Sequence, residues 1–146
     1  MDAADALSAR PAFLGMLYPV VSMKPPLDKT RSARELSTQA DYRTAYSVED
    51  HVRPDMPPVF LAQAVDDPIV DVGHSLLMYQ TALKAKVPVE LHIFERGGHS
   101  WGLGKPGTEP AQWPRLFATW ARMHGFMQAA GASGPDPAAS GAADGE

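Results

Sequence analysis

Three short apolar runs along the chain predict β-strands. They cover residues 13–21, 59–64 and 89–94, and each is bounded by Pro, Gly or Asp. The first two are almost continuously apolar, which is typical of strands covered on both faces. Because a helix is predicted between the second and third runs, these strands should be parallel and joined by a right-handed crossover. The pattern therefore predicts an α/β fold.

The first predicted helix lies between the second and third strands. Residues 73–86 carry Leu76, Tyr79 and Leu83 at helical spacing. This spacing predicts a helix. Asp71 stands just before the first turn, where a carboxylate can accept hydrogen bonds from free backbone N–H groups, so we expect it to cap the helix.

A second helix is predicted over residues 112–126. Pro114 falls in its first turn, where proline is tolerated. A wide apolar stripe runs along the helix and predicts packing against the core. The residues of this stripe are Trp113, Leu116, Phe117, Trp120 and Met123.

The remaining segments differ in composition from this α/β pattern. Residues 24–57 are rich in Pro and charge, with one short helix predicted from Ser47, where Asp50 completes a capping-box-like pattern. Such an insertion forms either a binding wall or a plain connection. From residue 128 the chain contains mainly Ala, Gly, Pro, Ser and Asp, which cannot bury enough surface to offset the entropy of ordering. We therefore expect one domain over residues 1–127 and a disordered tail over 128–146.

Composition and charge exclude several function classes. The 146 residues include 13 Lys and Arg against 17 Asp and Glu, a net charge of -4, so nucleic acid is not an expected partner. The absence of cysteine excludes disulfides and thiolate chemistry but leaves the compartment open. The longest apolar run, 12–23, contains Pro19 and is too short to span a membrane, and residues 1–10 do not resemble a secretory signal.

Candidate chemistry is concentrated in two loops that directly follow the second and third strands. The first loop contains Asp66 and Asp67, and the second contains His99 after two glycines. The carboxyl ends of parallel strands face a common crevice, so the two loops should meet there. An imidazole and a carboxylate placed together are the base and acid of a nucleophilic triad, in which the carboxylate fixes the tautomer of the imidazole. Either aspartate could supply the acid.

Simpler interpretations exist for each of these residues. His99 could be an ordinary loop histidine, and the two aspartates could be a helix cap or a solvated pair. The coincidence of glycines, a preceding strand and a neighbouring acidic loop favours the catalytic interpretation. His51, His74 and His92 show no metal-ligand spacing, so no metal or other cofactor is predicted.

Ser100 lies in a G-x-S-x-G pattern, Gly98 to Gly102, that superficially indicates a nucleophile elbow. An elbow must lead from a strand through one sharp turn straight into a helix. Residues 103–110 read LGKPGTEP, and the repeated glycines and prolines of this segment oppose helix formation. We therefore do not assign Ser100 as the nucleophile.

The segments around both loops resemble a known family. Residues 57–70, 75–79 and 88–99 are similar to the C-terminal part of bacterial α/β-hydrolase serine esterases, in particular the acetylesterase, acetylxylan-esterase and feruloyl-esterase-like group. Residues 11–23 resemble the strand after the nucleophile helix of that group, and 113–126 its closing helix. The resemblance implies a partial α/β-hydrolase domain of about three parallel strands with flanking helices.

The resemblance also implies roles for individual residues. His99 would be the catalytic base, and the triad acid would be Asp66 or Asp67, with Asp66 favoured because the first of a doubled acid usually serves. Trp101 stands where the family more often has phenylalanine, so it would narrow the substrate pocket beside the base. Asp71 replaces a common proline, which a helix start tolerates.

In this family the oxyanion-hole glycines and the serine elbow precede the segment that aligns with residues 2–23. The chain is therefore expected to contain the acid and base but not the nucleophile. The implied function is hydrolysis of carboxylic esters, with short acyl groups on carbohydrate or similar alcohols as substrates, and an N-terminal hydrolase half as partner. The alternative is a non-catalytic remnant or the C-terminal subunit of a split hydrolase. A small ligand-binding module has no positive support in the sequence.

Overall fold

The computed structural model describes residues 8–127, so the predicted tail at 128–146 lies outside the described residues. These described residues contain three strands and four α-helices, with 3-10 turns at Val48–His51 and Glu109–Gln112. The strands are β1 (Leu14–Leu17), β2 (Val59–Ala64) and β3 (Val89–Phe94). The helices are α1 (Arg31–Leu36), α2 (Tyr42–Ala45), α3 (Gly73–Lys84) and α4 (Trp113–Met123).

The strands form one parallel sheet in the order β1-β2-β3. Leu14 is paired with Val59, and Val59 in turn with Val89. All six residues of β2 are buried, as its continuous apolarity predicts. The predicted parallel arrangement is confirmed, and it places the ends of β2 and β3 side by side.

Two apolar clusters cover the two faces of this sheet. Because side chains alternate along a strand, Val59 and Leu61 pack on the face toward α3, whereas Phe60 and Ala62 pack toward α4. The α3 cluster also contains Val21, Met78, Ala82 and Val87. The α4 cluster also contains Ala64, Phe94, Trp120 and Ala121.

The first strand is shorter than predicted. It ends at Leu17 rather than at residue 21 because Tyr18 adopts a left-handed conformation with φ +41° and Pro19 has no N–H to donate. Val21 is nevertheless fully buried, so the apolar run marks burial beyond the strand itself.

Helix α3 has the predicted location, but of the three apolar residues at helical spacing only Tyr79 packs against the core. Leu76 and Leu83 are exposed, and the buried residues of the helix include the polar His74 and Ser75. The Ser75 hydroxyl and Nδ1 of His74 have hydrogen-bond partners inside the fold, whereas Nε2 of His74 is buried without one. The Asp71 carboxylate accepts a hydrogen bond from Gly73 N at 2.7 Å, although Val72 occupies the formal cap position.

Helix α4 follows the predicted stripe except at its end. Trp120 is buried, whereas Met123, the last residue of the helix, is 76% exposed. The helix is preceded by the 3-10 turn Glu109–Gln112, so the last two residues of the segment predicted to be non-helical do enter a turn of helix.

The insertion contains more helix than predicted, since α1 and α2 both lie within residues 24–57. The capping box proposed for Ser47 and Asp50 is wrong. Ser47 is buried and its hydroxyl accepts a hydrogen bond from Met23 N at 3.0 Å, while Asp50 pairs with Lys24. Ser47 therefore attaches the insertion to the segment that follows β1, whereas Asp50 joins two parts of the insertion itself.

Within residues 8–127, no helix combines the length and apolarity needed to cross a membrane.

Candidate active site

The loops that follow β2 and β3 meet at the carboxyl edge of the sheet. The backbone pairing continues one residue beyond the strands, because Val65 N donates to Phe94 O at 2.8 Å. Residues 66 and 67 are therefore held beside residues 97–99, although 32 positions separate Asp67 from His99 in the chain.

His99 and Asp67 form a hydrogen-bonded pair in this crevice. Nδ1 of His99 lies 2.7 Å from Oδ2 of Asp67, whose side chain is fully buried, while 18% of the His99 side chain is exposed. An ionised carboxylate can only accept, so the hydrogen of the neutral imidazole lies on Nδ1. Nε2 is left with its lone pair available to take a proton, which is the tautomer a general base requires.

The carboxylate of Asp67 is fixed at its other oxygen as well. Oδ1 accepts hydrogen bonds from Ile69 N at 2.8 Å and Val70 N at 2.9 Å. The backbone of the acid loop thus folds around the carboxylate and holds its orientation. Both oxygens of Asp67 therefore have hydrogen-bond partners within the site.

Asp66 makes different contacts. Its Oδ1 accepts hydrogen bonds from Gly97 N and Gly98 N, each at 2.8 Å, and makes no bond to the His99 ring. The preference for Asp66 as the partner of His99 therefore disagrees with the geometry, which gives that position to Asp67. Both aspartates lie beyond the end of β2 at Ala64, so the alternation of side chains along a strand does not decide which of them faces the ring.

Tyr18 is a residue of the site that the sequence did not indicate. Its ring centroid lies 4.7 Å from that of His99 and 5.0 Å from that of Trp101. The left-handed backbone at Tyr18 turns the chain at the end of β1 toward the two loops. The sequence did not indicate Tyr18 because this residue fell inside the strand predicted over residues 13–21.

Trp101 packs among aromatic rings beside the pair. Its ring contacts Tyr18, Phe94 and Trp113, and its indole nitrogen is buried without a hydrogen-bond partner. It also lines a cavity of about 380 Å³ that His99 borders. Its role in binding substrate stays a prediction.

Ser100 does not form a nucleophile elbow. Its φ is +58°, but the chain then turns back through a hydrogen bond from Gly104 N to Trp101 O at 2.7 Å. The next helical residue is Glu109. The direct passage from nucleophile into helix that an elbow requires is absent from this loop.

His74 lies outside this site, in the interior of the fold. Nδ1 of the buried His74 accepts hydrogen bonds from Val21 N and Ser22 N, both at 3.1 Å, which requires a neutral ring. Burial lowers the pKa of His74, and the nearby carboxylates of Asp71 and Glu49 partly oppose this effect. Among residues 8–127, no cluster of three or more His, Asp or Glu side chains is arranged to bind a metal ion.

Comparison with known proteins identifies the fold and the family. The model of the prolyl oligopeptidase family matches residues 23–125. Among curated proteins, endo-1,4-beta-xylanase B of Butyrivibrio fibrisolvens is 28% identical over 95 residues, which cover 64% of this chain and 15% of the xylanase.

Solved structures of bacterial hydrolases share the arrangement. An acetyl ester-xyloside bifunctional hydrolase from Caldicellulosiruptor lactoaceticus is 29% identical with a TM-score of 0.76, covering 87% of this chain and 47% of that protein. A carboxylesterase from Lactobacillus plantarum is 25% identical with a TM-score of 0.71, covering 84% and 48%. The chain thus spans about half the length of these relatives, and its three strands are part of an α/β-hydrolase fold.

Proposed function

This chain belongs to the prolyl oligopeptidase family of α/β hydrolases, and on that basis we propose that it supplies the base and acid of a serine-hydrolase triad acting on carboxylic esters. His99 is the base and Asp67 is the acid. The observation that carries the proposal is the 2.7 Å contact between His99 Nδ1 and the buried carboxylate of Asp67 at the carboxyl edge of a parallel sheet.

The chemistry follows from this pair. Nε2 of His99 takes the proton of a serine hydroxyl as its oxygen attacks the ester carbonyl carbon, and then delivers that proton to the departing alcohol. A water molecule then attacks the acyl-serine, and Nε2 of His99 takes a proton from this water. The same proton is delivered to the serine oxygen as it leaves, which releases the carboxylic acid and restores the serine. Throughout these steps Asp67 holds the tautomer and stabilises the imidazolium that forms.

The serine is proposed to come from an N-terminal hydrolase half, whether in the same polypeptide or in a separate one. Two observations support this. The described residues contain no elbow, and β1 pairs only with β2, so its outer edge is available for a further strand. The same half would carry the oxyanion donors, without which a base and acid achieve little.

The proposed substrates are short acyl esters of carbohydrate or similar alcohols. The support is the naming of the relatives as an acetyl ester-xyloside hydrolase and a carboxylesterase. The alternative is a remnant that retains the fold but has no role in catalysis.

The experiment compares the full chain alone with the chain mixed with an N-terminal half that carries a serine elbow, taken from the Caldicellulosiruptor relative. With an aryl acetate as substrate, we expect no turnover above buffer from the chain alone and clear turnover from the mixture. His99→Ala and Asp67→Asn should abolish that turnover, whereas the control Ser100→Ala should retain it.

Two results would count against the proposal. A complex that forms but hydrolyses no ester would favour the remnant. Turnover by the chain alone that is lost in Ser100→Ala, with a fluorophosphonate attached to Ser100, would make this serine the nucleophile.

A further inference from the structure

The segment that leads into His99 is held by carboxylates from elsewhere in the fold. Three consecutive amides precede the histidine. Arg96 N donates to Glu109 Oε2 at 3.1 Å, and Gly97 N and Gly98 N both donate to Asp66 Oδ1 at 2.8 Å. Consecutive N–H groups that converge on one anion form a nest, a backbone arrangement that binds negative charge. Here the anion is a side chain of the neighbouring loop.

The two glycines allow this nest for different reasons. At Gly97 a Cβ would lie 2.5 Å from Pro110 Cγ and 3.1 Å from Ala64 Cβ, so there is no space for a side chain. At Gly98 the space is open, but φ is +63°, which glycine adopts without strain. The two residues therefore let the backbone approach Asp66 closely while turning it toward His99.

We propose that Asp66 is a positioning residue for His99, which acts through the backbone of the loop, and this proposal rests on the function proposed above. The two adjacent aspartates have different roles. Asp66 fixes the position of the His99 backbone by accepting hydrogen bonds from the two amides before it. Asp67 fixes the orientation of the His99 ring by its hydrogen bond to Nδ1. Neither contact can substitute for the other, because one restrains the main chain and the other the side chain.

Nuclear magnetic resonance of the full chain tests the proposal with two readouts. The first is hydrogen exchange of the Gly97 and Gly98 amides, which reports the nest. The second is the Nδ1 proton of His99, whose hydrogen bond to a carboxylate gives a far-downfield signal. In Asp66→Ala we expect exchange of both amides to accelerate about tenfold, because each amide loses its hydrogen bond to a carboxylate acceptor. The His99 signal should broaden or disappear.

Three further variants separate the roles. Asp66→Asn keeps an acceptor oxygen and should restore most of the amide protection and the His99 signal. Asp67→Asn should lose the His99 signal with the glycine amides still protected. Asp55→Ala removes an exposed carboxylate that pairs with Arg10 and Arg53, and should leave both readouts unchanged.

The proposal is overturned if Asp66→Ala leaves the His99 signal as in the wild type, even with faster exchange at the glycines, since Asp66 would then be a structural tie alone. It is also overturned if Asp66→Asn behaves like Asp66→Ala, because the accepted hydrogen bonds would not be the cause. Asp66→Asn keeps the test informative should Asp66→Ala not fold. Neither readout needs turnover, so failure of the esterase assay with the N-terminal half would leave these results intact.

Discussion

At the scale of single residues, the site depends on close approach between two loops. The nest before His99 exists only because Gly97 has no side chain to meet Pro110 and Ala64. Not every glycine in the chain occupies a position with no space for a Cβ. Gly15 in β1 provides the comparison, since a Cβ added there would lie 3.7 Å from its nearest neighbour, Phe117 Cε2, which is an ordinary contact.

Gly97→Ala is expected to destabilise the chain by about 1–3 kcal/mol, the usual cost of overpacking, because Pro110 would have to move away. Gly15→Ala should change stability by less than about 0.5 kcal/mol or raise it slightly, since alanine reduces the entropy of the unfolded chain. Unfolding in urea, followed by circular dichroism, measures both. Equal losses in the two variants would contradict the steric argument.

His74 should make stability depend on pH. Its pKa is lowered from 6.5 by burial, so the unfolded chain binds a proton more readily than the folded one. The contribution is therefore fully present above about pH 6.5 and is lost as the pH falls from there toward the lowered pKa of the folded state. Between the pKa of His74 in the unfolded chain and its lower pKa in the folded state, the free energy of unfolding should decrease with decreasing pH.

The matched variant for this prediction is His74→Asn, whose side-chain oxygen can accept from Val21 N and Ser22 N but does not titrate. Denaturant unfolding between about pH 7.5 and about pH 5, a range that brackets the ordinary histidine pKa, should show a shallower pH dependence in the variant. The same slope in both proteins would assign the effect to other groups.

At the scale of elements, helix α4 shows how far burial varies along one apolar stripe. Trp120 is only 2% exposed and contacts Phe13, Phe60 and Phe117, whereas Met123 lies on the same stripe but is largely exposed. Trp120→Ala should cost about 3–5 kcal/mol, as truncation of a buried aromatic residue does. Met123→Ala should stay within about 0.5 kcal/mol of the wild type. Thermal unfolding of the two variants distinguishes these outcomes.

The elements themselves were largely predictable because their signal is local. Runs of apolar residues gave the bounds of β2 and β3, and helical spacing gave the positions of α3 and α4. The buried face of α3 was not predictable. Ser75 is buried because its hydroxyl donates to Gln63 of β2, and Gln63 in turn donates to Val70 O. Such pairing depends on residues distant in sequence.

The same reasoning explains how much of the site the sequence revealed. Placing His99 beside the acidic loop required only parallel strands and their order, so the meeting of the two loops could be predicted. Which aspartate faces the ring depends on the path of the backbone beyond β2, and Tyr18 depends on a left-handed turn beyond β1. Neither backbone path produces a periodic pattern of apolar residues in the sequence.

At the scale of the whole molecule, the outer edge of β1 is unpaired in the part of the chain that the structure describes. Leu14 N and Tyr18 N donate to Pro58 O and Ala62 O, so by alternation Gly15 N points away from β2. Within residues 8–127 no strand pairs with that edge. Beside it lies a mainly apolar groove of about 260 Å³ between β1 and α4, bordered by Phe13, Leu17 and Phe117. An unpaired edge next to apolar surface is prone to pairing with another chain.

We therefore expect the full chain, in the absence of an N-terminal half, to self-associate through β1 at micromolar concentrations. Gly15→Pro should weaken the association because proline removes the outward N–H without removing a bond to β2. Gly15→Ala keeps that N–H and is the matched control. Sedimentation velocity over a concentration series measures the association, and thermal unfolding checks that each variant is folded. A wild-type chain that stays monomeric and unfolds sharply would contradict the expectation, as would equal association in the proline and alanine variants, because the free edge of β1 would then not be the surface through which copies meet.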